Sequence, residues 1–198
     1  MRIGVDVDGV LTNIEQFELD YGSEYYINYT NKHLTNPKGY ESCQIFEGTE
    51  KEDNLFWRTA IYEYLKEPPR KFASKVLELL KNCGHEIYII TNRISDLSYC
   101  DITQEQMRKI ILKWLKKHKI YYDKLIFSNR TKLDALKENK IDIMIEDNPK
   151  NIKEQSEEIK VLCFDARYNS DIEKDNVIRV YSWFDILDKI RKINKYFV

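Results

Sequence analysis

The feature that most constrains this 198-residue chain is a repeated alternation. Short, β-branched apolar runs are separated by amphipathic segments of about 10–15 residues, the pattern of βαβ units in a parallel sheet. The runs are 2–9 (RIGVDVDG, a strand and the turn after it), Glu86–Thr91 (EIYIIT), Lys124–Phe127, 141–145, 161–164 and Val177–Val180. Between them the period changes to that of a helix. Phe72, Val76, Leu79 and Leu80 share one helix face that ends near Gly84, and Thr103-Gln104-Glu105-Gln106 is a capping box. It opens a helix with the stripe Met107, Ile110, Ile111, Trp114 and Leu115. A short helix is expected over 131–139. Asn148 is placed to cap another with Pro149 at its first position, and Ser182 to cap a last one burying Trp183, Ile186, Leu187 and Ile190.

Residues 12–68 break the alternation. Phe17, Tyr21, Tyr25, Tyr26, Phe56 and Trp57 are scattered among polar residues without strand periodicity, and Pro68-Pro69 closes the segment. The expected architecture is therefore a doubly wound, Rossmann-like α/β core from 1–11 and 69–198. A small, mostly helical cap, 12–68, is inserted after the first strand.

Composition narrows the function classes. With 32 Lys+Arg against 33 Asp+Glu, the net charge of −1 gives no general positive field for a nucleic-acid polymer and no polybasic membrane anchor. No stretch approaches the roughly 20 apolar residues of a membrane helix, and the opening MRIGVDVDG has no apolar leader core. Cys43, Cys83, Cys100 and Cys163 are scattered, without zinc spacing, and read as reduced thiols of a cytoplasmic protein. Oligomeric state is not legible.

Ligands of an open parallel sheet bind at the carboxyl ends of its strands. There this sequence places Asp6 and Asp8, then Thr91-Asn92-Arg93, then Ser128-Asn129-Arg130-Thr131-Lys132, then Glu146-Asp147, and finally Asp165. Asp6 and Asp8 are two apart, so both can lean toward one crevice, while Gly9 lets the chain turn away. Two adjacent like charges need a cation or a proton between them. With Glu146 and Asp147 added, a hard, oxygen-ligated divalent ion, Mg²⁺ in the usual case, resolves the repulsion. Singly, each feature has an ordinary explanation: Thr91 as a turn residue, Lys132 as a solvated helix lysine, Glu146-Asp147 as acids leading a helix. It is their joint order that points to chemistry on a phosphate.

The string Asp6-Val7-Asp8-Gly9-Val10-Leu11-Thr12, followed by Thr91-Asn92, Lys132 and Glu146-Asp147, resembles the haloacid dehalogenase superfamily of phosphohydrolases. The early insertion and Phe56-Trp57-Arg58 are similar to the 5′(3′)-deoxyribonucleotidases within it. The resemblance implies a small phosphomonoester substrate, a nucleotide first, and Mg²⁺ as cofactor. It assigns Asp6 as nucleophile and Asp8 as general acid and base, Thr91 and Asn92 as phosphate ligands, and Lys132 as the clamp on Asp6 and phosphate. The ion would be held by the Asp6 carboxylate, the Asp8 carbonyl and Asp147, with Glu146 acting through water. In that family an aromatic ring follows the first motif by a few residues; here the position is Ile14. A phosphatase of sugar phosphates or another small metabolite is the alternative reading.

Overall fold

The computed structural model describes residues 1–128 and 131–195; Asn129 and Arg130 lie outside the described residues. In chain order the elements are β1 (Arg2–Val5), α1 (Ile14–Thr30), α2 (Ser42–Ile45), α3 (Glu50–Tyr64), α4 (Ala73–Asn82) and β2 (Glu86–Thr91). There follow α5 (Gln104–Lys117), β3 (Lys124–Phe127), α6 (Lys132–Asn139), β4 (Ile143–Glu146), α7 (Pro149–Gln155), β5 (Lys160–Phe164), β6 (Val177–Val180) and α8 (Trp183–Lys195). All pairings are parallel and the sheet order is β3-β2-β1-β4-β5-β6. Strand order reverses at β1, which lies between β2 and β4. That is the crevice where a doubly wound sheet takes its ligand.

Side-chain alternation along each strand divides the core into two faces. Ile3, Val5, Ile87, Ile89, Ile143 and Ile145 pack with the apolar sides of α4, α5 and α8. Tyr88, Ile90 and Met144 pack with Ala135 and Leu136 of α6, and Val161 and Cys163 with Ile152 of α7. Because both faces are covered, the strands are continuously apolar, as parallel strands are.

The caps form as their residue types dictate. Thr103 and Gln106 exchange hydrogen bonds at the start of α5, at 2.8 and 3.2 Å. The Asn148 side chain accepts from the amides of Lys150 (2.9 Å) and Asn151 (3.1 Å), with Pro149 opening α7. Ser182 Oγ accepts from the Asp185 amide at 3.2 Å. The four cysteines are free thiols.

Two expectations shift. Phe72 does not join the buried stripe of α4: it precedes the helix with φ +71° and is 48% exposed. The chain leaving Pro69 is drawn back to the first motif by the Arg70 amide, 2.6 Å from Leu11 O, so α4 starts at Ala73 and buries Ala73, Val76, Leu77 and Leu80. Ile141 belongs to the end of α6 rather than to β4. Its amide donates to Leu136 O at 3.0 Å after Lys140 has turned to φ +52°, and the chain enters the sheet only beyond it.

Residues 12–68 supply α1, α2 and α3, which bury their own aromatic cluster. Tyr26 stacks on Phe46 at 4.7 Å with Phe56 beside it, and Phe17 stacks on Tyr21 at 4.2 Å. Most of the aromatic residues of this segment are therefore engaged in holding it together. Among the described residues no helix is long and apolar enough to cross a membrane.

Gly9 and Gly84 both have positive φ, +80° and +83°, but a Cβ on Gly9 would lie 1.9 Å from Asp147 Oδ2, whereas one on Gly84 meets nothing within 4 Å. Gly84→Ala is expected to cost about 1 kcal/mol of left-handed strain, and Gly9→Ala clearly more than the roughly 2 kcal/mol that strain alone can reach. Equal losses in urea denaturation would contradict the close approach at Gly9.

Candidate active site

The site begins where β1 ends. The Asp6 amide still pairs with Ile145 O of β4 at 3.1 Å, and its carboxylate accepts from the Val7 amide at 2.7 Å. The chain then widens into the helical turn Val7–Leu11, in which Asp8 keeps an extended conformation and Gly9 is left-handed. This kink is what lets Asp6 and Asp8 line one cavity of about 550 Å³.

Lys132, the first residue of α6, is 4% exposed. Its Nζ lies 2.6 Å from Asp6 Oδ2 and 2.9 Å from Glu146 Oε2. Burial alone would lower the lysine's proton affinity, but Asp6 and Glu146 outweigh it and hold the ammonium charged. Glu146 is fully buried behind the cavity wall, its oxygens accepting from the amides of Asp147 and Asn148 and from Lys132, Asn151 and Gln155. Burial works against its charge, yet Lys132 brings its carboxyl below the ordinary range.

Asp147 is held by the Tyr168 hydroxyl, which donates to Oδ2. Its Oδ1 is buried and accepts no hydrogen bond among the described residues. Burial, then Glu146, pushes this carboxyl up to about 8. Burial and Glu146 likewise push Asp6 well above the carboxylate range, against the pull of Lys132. Asp6, Glu146 and Asp147 each offer an oxygen within 4.8 Å of the others. An all-oxygen, acid-rich set with one orphaned buried oxygen fits a hard divalent cation.

Asp8 is treated differently. Arg93 Nε lies 2.8 and 3.0 Å from its two oxygens, Nη2 2.6 Å from one, and the Tyr64 hydroxyl donates to it at 2.6 Å. Burial favours the neutral acid, but Arg93 more than offsets it and holds Asp8 ionised. Thr91 is wholly buried, with Oγ1 accepting from the Arg93 amide at 3.2 Å, and does not line the cavity. Asn92 does line it and leaves a buried Oδ1 without a partner.

Asp6, Asp8, Asn92, Lys132 and Asp147 thus meet in one cavity, with Thr91 and Glu146 directly behind it. Asp165, also at a strand end, is exposed and pairs with Arg179 at 2.8 Å, away from that cavity. Arg93, Tyr64 and Tyr168 acquire contacts to which the sequence analysis assigned no role. Arg93 stood directly after Thr91-Asn92 at a strand end and could have been singled out as the one cation there. Tyr64 was hidden among many tyrosines of the inserted segment. Tyr168 arrives from the short turn Arg167–Asn169, which has no local signal of function.

This sheet order and this placement of acids at the switch point define a haloacid dehalogenase-type hydrolase. Solved structures share the fold: a HAD-superfamily hydrolase of Ehrlichia chaffeensis aligns with TM-score 0.54 and 15% identity, covering 96% of each chain. The D,D-heptose 1,7-bisphosphate phosphatase of B. bronchiseptica, complexed with magnesium and phosphate, aligns with TM-score 0.55 and 7% identity over 96% of this chain and 98% of that one. More specifically, the family model of the 5′ nucleotidase, deoxy (Pyrimidine), cytosolic type C proteins matches residues 1–196, and the chain belongs to that family of phosphoric monoester hydrolases. A nucleotidase of Clostridium acetobutylicum is 28% identical over 96% of this chain and 95% of its own length.

The raised Asp147 carboxyl has a thermodynamic consequence. Unfolded, this group titrates near 3.9; folded and metal-free, near 8. Between those values the native state retains a proton the unfolded chain has lost, so this group's contribution to stability falls as pH rises. A divalent ion competes with that proton, so the rise in melting temperature caused by Mg²⁺ over EDTA is expected to grow from pH 5.5 to 8.5. A rise that stays flat or shrinks across this range would count against the acid cluster as an ion site.

Proposed function

We propose that the protein is a Mg²⁺-dependent 5′(3′)-nucleotidase that dephosphorylates (deoxy)nucleoside monophosphates through an aspartyl-phosphate on Asp6, with residues 12–68 as the cap over the site. The observation that carries the reading is the placement of Asp6. It is the one acid in the cavity paired to Lys132, with Asp8 two residues on and Asp147 at its other side.

In the first step an Asp6 oxygen attacks phosphorus, the ester P–O bond breaks, and the leaving alkoxide takes a proton from Asp8. In the second, water attacks phosphorus and gives its proton to Asp8, and the P–O bond to Asp6 breaks, releasing phosphate and restoring both acids. Asp6, Asp147 and the Asp8 carbonyl, with Glu146 through water, would hold Mg²⁺, which would supply positive charge to the phosphate oxygens. Lys132 keeps Asp6 oriented and adds its own charge, and Asn92, backed by Thr91, hydrogen-bonds phosphoryl oxygens. Arg93 holds Asp8 ionised. An entering phosphate dianion competes for that guanidinium, and Asp8, released from it, takes up from solvent the proton that it donates in the first step.

A second reading, a phosphatase of sugar phosphates or another small metabolite, is favoured by one observation: the cavity position that follows the first motif is Ile14 rather than an aromatic ring. A panel of nucleotides and sugar phosphates assayed for phosphate release separates the two. With dUMP, dTMP or UMP, activity is expected with Mg²⁺ and not with EDTA. Asp6→Asn is expected to abolish turnover, and Asp8→Asn to lower kcat by roughly 10²- to 10⁴-fold. Substantial turnover by Asp6→Asn would rule out the covalent route, and a strong preference for sugar phosphates would favour the second reading.

A further inference from the structure

Glu18 is the one buried carboxyl of the cavity wall that the chemistry above does not use. It lies on α1 one turn after Ile14, on the same side of the helix, and both line the cavity. It is 3% exposed and has no hydrogen bond or ion pair among the described residues. The charged groups that act on it are all acids: Asp53, Glu41, Asp147 and Glu15. An isolated buried carboxylate with no cation beside it is strongly disfavoured, and burial followed by those acids pushes its carboxyl well above the ordinary range.

A neutral carboxyl offers an O–H donor and a carbonyl acceptor side by side. The residue is buried, but its oxygens are not sealed from the cavity, so with no protein partner that pair is open to a ligand that completes it. The rest of this wall suits a flat group: the Trp57 indole and the aliphatic side chains of Ile14 and Ile61 line the same cavity. An indole and two aliphatic side chains beside a donor–acceptor pair, with the polar Asp53 and Asn54 lining the same cavity, match a nucleobase, which carries hydrogen-bonding donors and acceptors in its ring plane and is apolar above and below.

We propose that Glu18 is the specificity-determining residue of the cavity, hydrogen-bonding through both oxygens to the donor–acceptor edge of the base in the nucleotide leaving group. This rests on the nucleotidase reading and adds to it a residue that distinguishes nucleotides from other phosphomonoesters.

The test compares wild type, Glu18→Gln and Glu18→Leu with Mg²⁺ present, measuring KM and kcat for a panel of nucleoside monophosphates and the inhibition constant of inorganic phosphate. Gln keeps a donor beside an acceptor; Leu removes both. Glu18→Leu is expected to raise KM for nucleotides by roughly 10- to 100-fold, Glu18→Gln by only a few-fold, and neither to change phosphate inhibition, which also reports an intact fold. Unchanged nucleotide KM in Glu18→Leu overturns the assignment while leaving the nucleotidase reading intact. So does an equal loss in Glu18→Gln, which would mark Glu18 as a carboxylate that binds cations. If the wild type hydrolyses no nucleotide at all, the nucleotidase reading fails and this assignment fails with it.

Discussion

A buried lysine between two buried carboxylates organises this molecule. Lys132 joins Asp6 at the end of β1 to Glu146 at the end of β4, and all three are almost fully withdrawn from solvent. Exposed ion pairs such as Lys109–Glu105 contribute about 0–1 kcal/mol each. Removing one member of a buried group such as this leaves charges with neither water nor partner, at a cost of about 3–5 kcal/mol. The three residues therefore require one another. Because they come from three different βα connections, after β1, β3 and β4, their pairing also sets how those connections meet. The same arrangement crowds acids around Asp6 and Asp147, an oxygen set that a hard divalent cation would complete.

The inserted helices are tied to this centre by polar contacts. Tyr64 at the end of α3 reaches both Asp8 and Thr12 Oγ1, at 2.6 and 2.7 Å. Arg70 clamps the two points where the chain leaves and re-enters the core. Its guanidinium donates to Gly9 O, Thr12 O and Asn13 Oδ1 and stacks on Phe164 at 4.4 Å from the ring centroid. A side chain that satisfies two carbonyls of the first motif, Gly9 and Thr12, supports the turn carrying Asp8. The cavity wall built by α1 and α3 and the acids of the first motif thus share one set of supports, so a shift of α1 or α3 is felt at Asp8.

Much of this was legible in linear sequence because the relevant forces are local. Thr103, Asn148 and Ser182 cap helices since each reaches an amide two or three residues away, and a β-branched run is a strand wherever both faces are covered. Phe72 failed the same logic because a long-range bond, Arg70 to Leu11, set the start of α4 in place of its own apolar period. The strand-end acids were legible for a related reason: a parallel sheet gathers the carboxyl ends of its strands at one edge, whatever the intervening sequence.

The sequence by itself determined the alternating elements, their caps and the residue types delivered to the sheet edge, since these follow from period, side-chain reach and strand direction. Only the tertiary structure decided that Lys132 is buried, that Arg93 and Tyr64 hold Asp8, that Tyr168 holds Asp147, and that Glu18 faces the cavity without a partner. Those outcomes depend on which groups share a low-dielectric space, and side chains as far apart in sequence as Asp6 and Lys132 meet there only after the sheet is assembled.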